Sequence, residues 1–178
     1  VRLWHLGDDI GIVSFKTKMN TVNDAVLDGL QRCVDECEKQ FKAMVIWQTS
    51  EPFSAGADLK GALGLIKEGK IKEFDAMVAN FQATSMRIKY SLVPVVSAVR
   101  GMAFGGGCEF QMHSARTVFS LRPPLRRSSN CPSSSRFIEI SCTRLSIRPG
   151  VGSFSTRLAL STASAIISTP ASRVCGLG

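Results

Sequence analysis

The sequence is poor in histidine and tyrosine, with two His (His5 and His113) and one Tyr, Tyr90, in 178 residues. Its six Cys include no CxxC pair, so the usual spacing of a zinc site is missing. Cys33 and Cys37 lie four apart on an expected helix and so share a face. With so few His to join them, a complete metal site is not expected. Reduced thiols of a cytoplasmic protein are the plain reading of the scattered Cys. No apolar run reaches about 18 residues, so no transmembrane helix is expected. The start, Val1-Arg2-Leu3-Trp4, lacks the basic, apolar and small-residue order of a signal peptide. It also lacks an initiator Met, and the chain is expected to be cut from a longer one. Residues 121–178 contain neither Lys nor Asp.

What is present suits one soluble globular domain, with 44% hydrophobic and 20% charged residues. The formal net charge of +8 is unevenly placed. Residues 1–120 balance 14 basic against 13 acidic side chains, whereas residues 121–178 set eight Arg against one acid, Glu139. No basic stripe sits on a nucleic-acid motif, so nucleic acid is not an expected partner.

Residues 1–16 predict a β-hairpin: apolar Leu3, Trp4 and Leu6, the turn Gly7-Asp8-Asp9, then alternation through Phe15. Asn20 or Asn23 caps the helix that follows. Its Val26, Leu27, Leu30, Val34 and Phe41 recur at helical spacing, which buries one face. Met44–Gln48 is an apolar strand. Asp58 is placed to cap a helix over about residues 59–67, and a helical stretch through residue 90 breaks near Glu68-Gly69-Lys70. Its apolar series Phe74, Met77, Val78, Phe81, Met86 and Ile88 reads mainly as core, while Lys60, Lys67, Lys70 and Lys72 read as a solvated face. Pro94–Val99 is a second buried strand, and Ala115–Ser120 a third.

Two of these strands end in loops of small residues that open a helix. The first loop is Ser50–Leu59, SEPFSAGADL, and the second is Gly101–Glu109, GMAFGGGCE. Gly105, Gly106 and Gly107 permit tight backbone angles and close approach of another molecule. Free N–H groups at a helix start favour negative charge. Two such loops can aim N–H groups at one carbonyl oxygen, forming an oxyanion hole whose donors are worth about 3–4 kcal/mol each. Glu109, in the first turn of the second helix, places a carboxylate beside them.

FSAGADL followed by RGMAFGGGCEF resembles the crotonase family, the enoyl-CoA hydratases and isomerases, over roughly residues 5–120. The wording is most similar to the hydratase/isomerase part of bifunctional proteins that also carry a 3-hydroxyacyl-CoA dehydrogenase part. The resemblance implies an α/β fold of repeated ββα units, incomplete here, with an irregular C-terminal tail. It implies oxyanion N–H groups from Ala55 and Gly106, and substrate contacts from Ala55, Gly56, Ala57, Asp58 and Gly106. Ala57 and Asp58 would flank the thioester and pantetheine arm. Glu109 matches the first of two hydratase glutamates and would perform acid–base chemistry, for which burial is expected to tune it. Asn20 matches a recurrent Asn whose role would be structural. One or two residues of the 74–88 series would touch the acyl group. The implied partners are an acyl-CoA substrate, a homo-oligomer in intact members and a fused or associated dehydrogenase part. No cofactor, metal or membrane is implied within this chain, coenzyme A being part of the substrate.

The pattern stops after Ser120. Residues 121–178 hold 13 Ser, eight Arg and five Pro, a composition of low-complexity chain. The second glutamate is expected near Ser128, Ser129 and Asn130, where none stands. No long amphipathic helix is expected beyond Ile147. The chain therefore divides into 1–120, the front of a crotonase-like domain, and 121–178, a tail expected to be disordered or read from a shifted frame. The competing expectations are a truncated, catalytically incompetent fragment, and a protein that binds an acidic partner through its basic tail.

Overall fold

The computed structural model describes residues 1–5, 7, 9–121, 136–140 and 153–168. The hairpin expected at the front is β1 (Arg2–His5) and β2 (Ile10–Ser14), paired antiparallel. A single 3-10 turn, Lys18–Asn20, leads to α1 (Asp24–Gln40). Asn23 caps α1, its Oδ1 accepting from the Val26 N–H at 3.0 Å. Asn20 has a different task, described below. β3 (Ala43–Trp47) precedes α2 (Leu59–Lys67) and α3 (Ile71–Lys89), which part at the Gly69 turn as the sequence predicts. β4 (Val95–Arg100), α4 (Gly106–His113) and β5 (Arg116–Leu121) complete the front region.

The sheet has six strands in the order β1-β2-β3-β4-β5-β6, with β6 spanning Arg136–Ile140. β2 through β5 run parallel, and β1 and β6 pair antiparallel at the two ends. Every residue of β2 and β3 is buried. Strands covered on both faces read as continuous apolar runs rather than alternating ones. On one face Val13, Met44, Ile46, Val95 and Val99 pack against Leu27, Leu30 and Val34 of α1, Ile88 of α3 and Phe110 of α4. On the other, Ile12, Val45, Trp47, Val96, Ala98 and Val118 meet Ala159 and Ala163 of α5 (Ser153–Ser168).

That last helix, 16 residues long, stands beyond Ile147, where no long amphipathic helix is expected from the sequence. Among its described side chains, Ala159 and Ala163 are fully buried against the sheet, and Leu158 and Leu160 pack beside them half-buried. Residues 121–178 thus contribute β6 and α5. The shifted frame, the disorder and the Ser128–Asn130 neighbourhood lie outside the described residues. Among the described residues no helix is long and apolar enough to cross a membrane.

A polar network fixes α3 against α1, and α3 is the wall the site depends on. Arg87 donates to both carboxylate oxygens of Glu38, at 2.7 and 2.6 Å, and to Asp35 at 2.7 Å. Glu38 also accepts from the Leu92 N–H at 2.7 Å. The Gln31 side-chain amide donates to Asn80 and Thr84 of α3 at 2.9 and 2.7 Å. Cys33 and Cys37 do share a face of α1, and they are buried in the core. Burial pushes the Cys37 thiol up to about 12, which makes it a packing group rather than a nucleophile.

Candidate active site

The loops after β3 and β4 are bound to one another. Ser54 and Ala103 form a parallel bridge, and the Phe104 N–H donates to the Ser54 carbonyl at 2.9 Å. The first loop is held from inside by side chains. Asn20 Nδ2 donates to the carbonyls of Ser50 and Pro52 at 3.1 and 2.8 Å. Buried Ser54 donates its hydroxyl to the Asn20 carbonyl at 2.7 Å and accepts from the Gly56 N–H at 3.1 Å. Asn20 therefore has the structural role that the resemblance implies. Gly56 and Gly105 hold φ of +88° and +46°, left-handed values that favour glycine. A Cβ on Gly56 would stand 3.0 Å from the Phe104 carbonyl oxygen, so the loops meet backbone to backbone.

A cavity of about 350 Å³ opens beside this junction. Ala57, Asp58, Gly61, Gly106 and Glu109 line one side. Met77, Val78, Phe81 and Gln82 of α3 form a second wall, and Val22, Asn23, Asp24 and Leu27 a third. The structure thus places Ala57, Asp58, Gly106 and Glu109 on one cavity. Ala55 and Gly56 are set apart from the cavity. Ala55 is the expectation that the geometry corrects: its N–H donates to the Met19 carbonyl at 3.1 Å and is spent. Among the described residues no acceptor takes the N–H of Ala57 or of Gly106. Gly106 opens α4, where unpaired N–H groups and the helix dipole coincide.

Asp58 serves twice. Its Oδ1 caps α2 by accepting from the Lys60 N–H at 3.1 Å, and the residue lines the cavity. Glu109 lies in the first turn of α4. It is exposed rather than buried, because that turn forms the cavity rim. Its carboxylate has no hydrogen-bond or ion-pair partner among the described residues. His113 Nδ1 lies 2.8 Å from the Glu109 carbonyl oxygen, which ties the backbone of that turn to the next. Of the 74–88 series, Met77, Val78 and Phe81 line the cavity. Asn23 and Asp24 were not foreseen at the site. Their place follows from the Val22–Ala57 bridge, which joins the start of α1 to the first loop. Among the described residues no group of three His, Cys, Asp or Glu could hold a metal ion.

The fold is that of solved enoyl-CoA hydratases. The enoyl-CoA hydratase of Bacillus anthracis superposes with a TM-score of 0.59 at 21% identity, over 67% of this chain and 49% of that one. Human enoyl coenzyme A hydratase domain-containing protein 3 gives 0.57 at 24% identity, again over 67% and 49%. The model of the enoyl-CoA hydratase/isomerase family matches residues 8–122, and the chain belongs to that family.

Two curated relatives are longer proteins. A probable 3-hydroxyacyl-CoA dehydrogenase of Bacillus subtilis is 35% identical over 111 residues, 62% of this chain and 14% of that protein. A putative fatty acid oxidation complex trifunctional enzyme of Rickettsia felis is 38% identical over 102 residues, 57% of this chain and 14% of that one. The chain therefore spans a small part of these relatives and about half of the solved hydratases.

Proposed function

We propose that the cavity binds an acyl-CoA thioester and performs crotonase-type hydration or isomerisation in fatty-acid oxidation. The observation that carries this reading is the pairing of two uncommitted N–H groups, Ala57 and Gly106, on one apolar cavity with Glu109. In this reading the two N–H groups hold the thioester carbonyl oxygen. Water adds to C3 of a 2-enoyl thioester while the Glu109 carboxylate takes its proton. The electron pair of the C2=C3 bond moves toward the carbonyl, and the resulting enolate oxygen is held by the same donors. A proton returned to C2 gives the 3-hydroxyacyl thioester. Isomerisation starts instead from a 3-enoyl thioester: the carboxylate removes a proton from C2, the resulting dienolate oxygen is held by the same two donors, and return of the proton to C4 moves the double bond to C2=C3. Ala57 replaces Ala55 as the first donor on the ground that the Ala55 N–H is occupied.

The name of the Bacillus subtilis relative supports a dehydrogenase part fused to or associated with this one, and that of the Rickettsia felis relative supports a place in a multifunctional fatty-acid oxidation protein. A 3-hydroxyacyl thioester is the compound such a part would oxidise.

The test is turnover of crotonyl-CoA by the full chain, followed as loss of enoyl-thioester absorbance. Glu109→Gln is expected to lower the rate by about 10²–10⁴-fold while leaving binding of unreactive butyryl-CoA in place. An unchanged rate would remove Glu109 from the mechanism. A second reading, thioester binding without turnover, is favoured by the exposure of Glu109, since a general base acts best shielded from water. It is met if the unaltered chain binds butyryl-CoA and leaves crotonyl-CoA intact.

A further inference from the structure

Among the described residues Phe81 is the one aromatic side chain on the cavity wall, and it cannot retreat. Its ring stacks flat on Phe110, with centroids 5.1 Å apart and 4° between planes. Phe110 is fully buried and stands edge-on to Phe15 at 6.3 Å. A retreating Phe81 would have to displace this row of rings, and packed cores resist such shifts. The far edge of the ring stands against the proposed carbonyl-binding turn. A Cβ built on Gly106 would lie 2.2 Å from Phe81 Cζ, so the ring fills the space directly over that backbone. Gly106 and Phe81 line the same cavity, so an acyl group whose carbonyl is held by the Gly106 N–H has the ring as a neighbour near its C2. Farther along α3 the wall changes character. Met77 is a flexible thioether, and Val78 is 36% exposed at the mouth.

We propose that Phe81 is a specificity-determining residue that restricts the site to acyl thioesters unbranched at C2. A straight chain leaves the carbonyl along Met77 and Val78 toward the mouth. A methyl branch at C2 meets the fixed ring. The inference rests on the acyl-CoA reading and adds the class of acyl group admitted.

The experiment is calorimetric binding of butyryl-CoA and isobutyryl-CoA, unreactive isomers that differ by a branch at C2, to the full chain and to Phe81→Ala and Phe81→Leu. The unaltered chain is expected to prefer the straight isomer by about tenfold or more, the scale of discrimination for one misplaced carbon. Phe81→Ala is expected to reduce the preference to below about threefold, with Phe81→Leu between. Phe81→Leu carries the test if the alanine variant does not fold, with the circular dichroism melt as the folding control. A preference absent from the unaltered chain overturns the proposal, as does one unchanged in the folded variants. Failure of the folded, unaltered chain to bind either thioester overturns the acyl-CoA reading itself, and the two failures are thus told apart.

Discussion

The two faces of the sheet are covered in different ways. One face carries α1, α3 and α4 through large aliphatic and aromatic side chains, with an ion-pair network between α1 and α3. The other carries α5 through fully buried Ala159 and Ala163, flanked by half-buried Leu158 and Leu160. Bulky contacts hold the helices of the first face at a distance that leaves a cavity at one end, and small residues let α5 lie close. The lesson is that the site belongs to the face built from long side chains.

The first face should therefore be the one sensitive to truncation, and the second the one sensitive to enlargement. Leu30→Ala removes a fully buried side chain from the first face. It should lower stability by about 2–5 kcal/mol, read from urea unfolding. Ala163→Leu forces extra volume under α5 and should cost about 1–3 kcal/mol. A neutral Ala163→Leu would show that α5 is loosely seated, and the contrast between the faces would fail.

Glu38→Gln probes the network special to the first face. Hydrogen bonds from Arg87 hold the Glu38 carboxyl below its ordinary value of 4.5, against the opposing pull of desolvation. A carboxyl lowered in the folded state contributes stability that is fully present above the unfolded value. That contribution fades as pH falls through the lower, folded one. The unaltered chain should therefore lose stability steeply below about pH 4.5, and Glu38→Gln should flatten that slope. At neutral pH the substitution should cost about 1–3 kcal/mol. An unchanged acid limb of the stability–pH curve would show that other carboxyls set it.

The smallest effect concerns the double task of Asp58. Asp58→Ala should cost about 1 kcal/mol through loss of the α2 cap, and Asp58→Asn only a few tenths. If Asp58→Asn keeps stability yet weakens butyryl-CoA binding, the cavity-facing role is real and separate from the cap.

Much of the front region is legible in the sequence because local chemistry decides it. Asn23 and Asp58 are caps with side-chain acceptors. The Gly69 turn separates α2 from α3, and the β3 and β4 runs are apolar throughout. Glu109 and Gly106 reach the cavity because their position on a strand–turn–helix unit leaves little choice. Ala55 and Ala57 could not be told apart that way. Which N–H is spent depends on Met19, a residue of positive φ more than thirty positions earlier. Phe81 reads as one more apolar residue of a helix until Gly106 is seen under its ring. The burial expected of Glu109 depends on what stands over the cavity rim, which no local pattern reports. α5 is hard to read in the sequence because its fully buried residues, Ala159 and Ala163, stand among serines and threonines and give little hydrophobic contrast.

The order of strands in the sheet matches their order in the chain. Each strand from β2 onward pairs with the one made just before it, and none has to wait for a partner synthesised later. On a ribosome, where domains form from the N-terminal side, the sheet can grow by addition at a single advancing edge. The strand most open to unwanted pairing at any moment is then the newest, and the segment that covers it is the next to emerge.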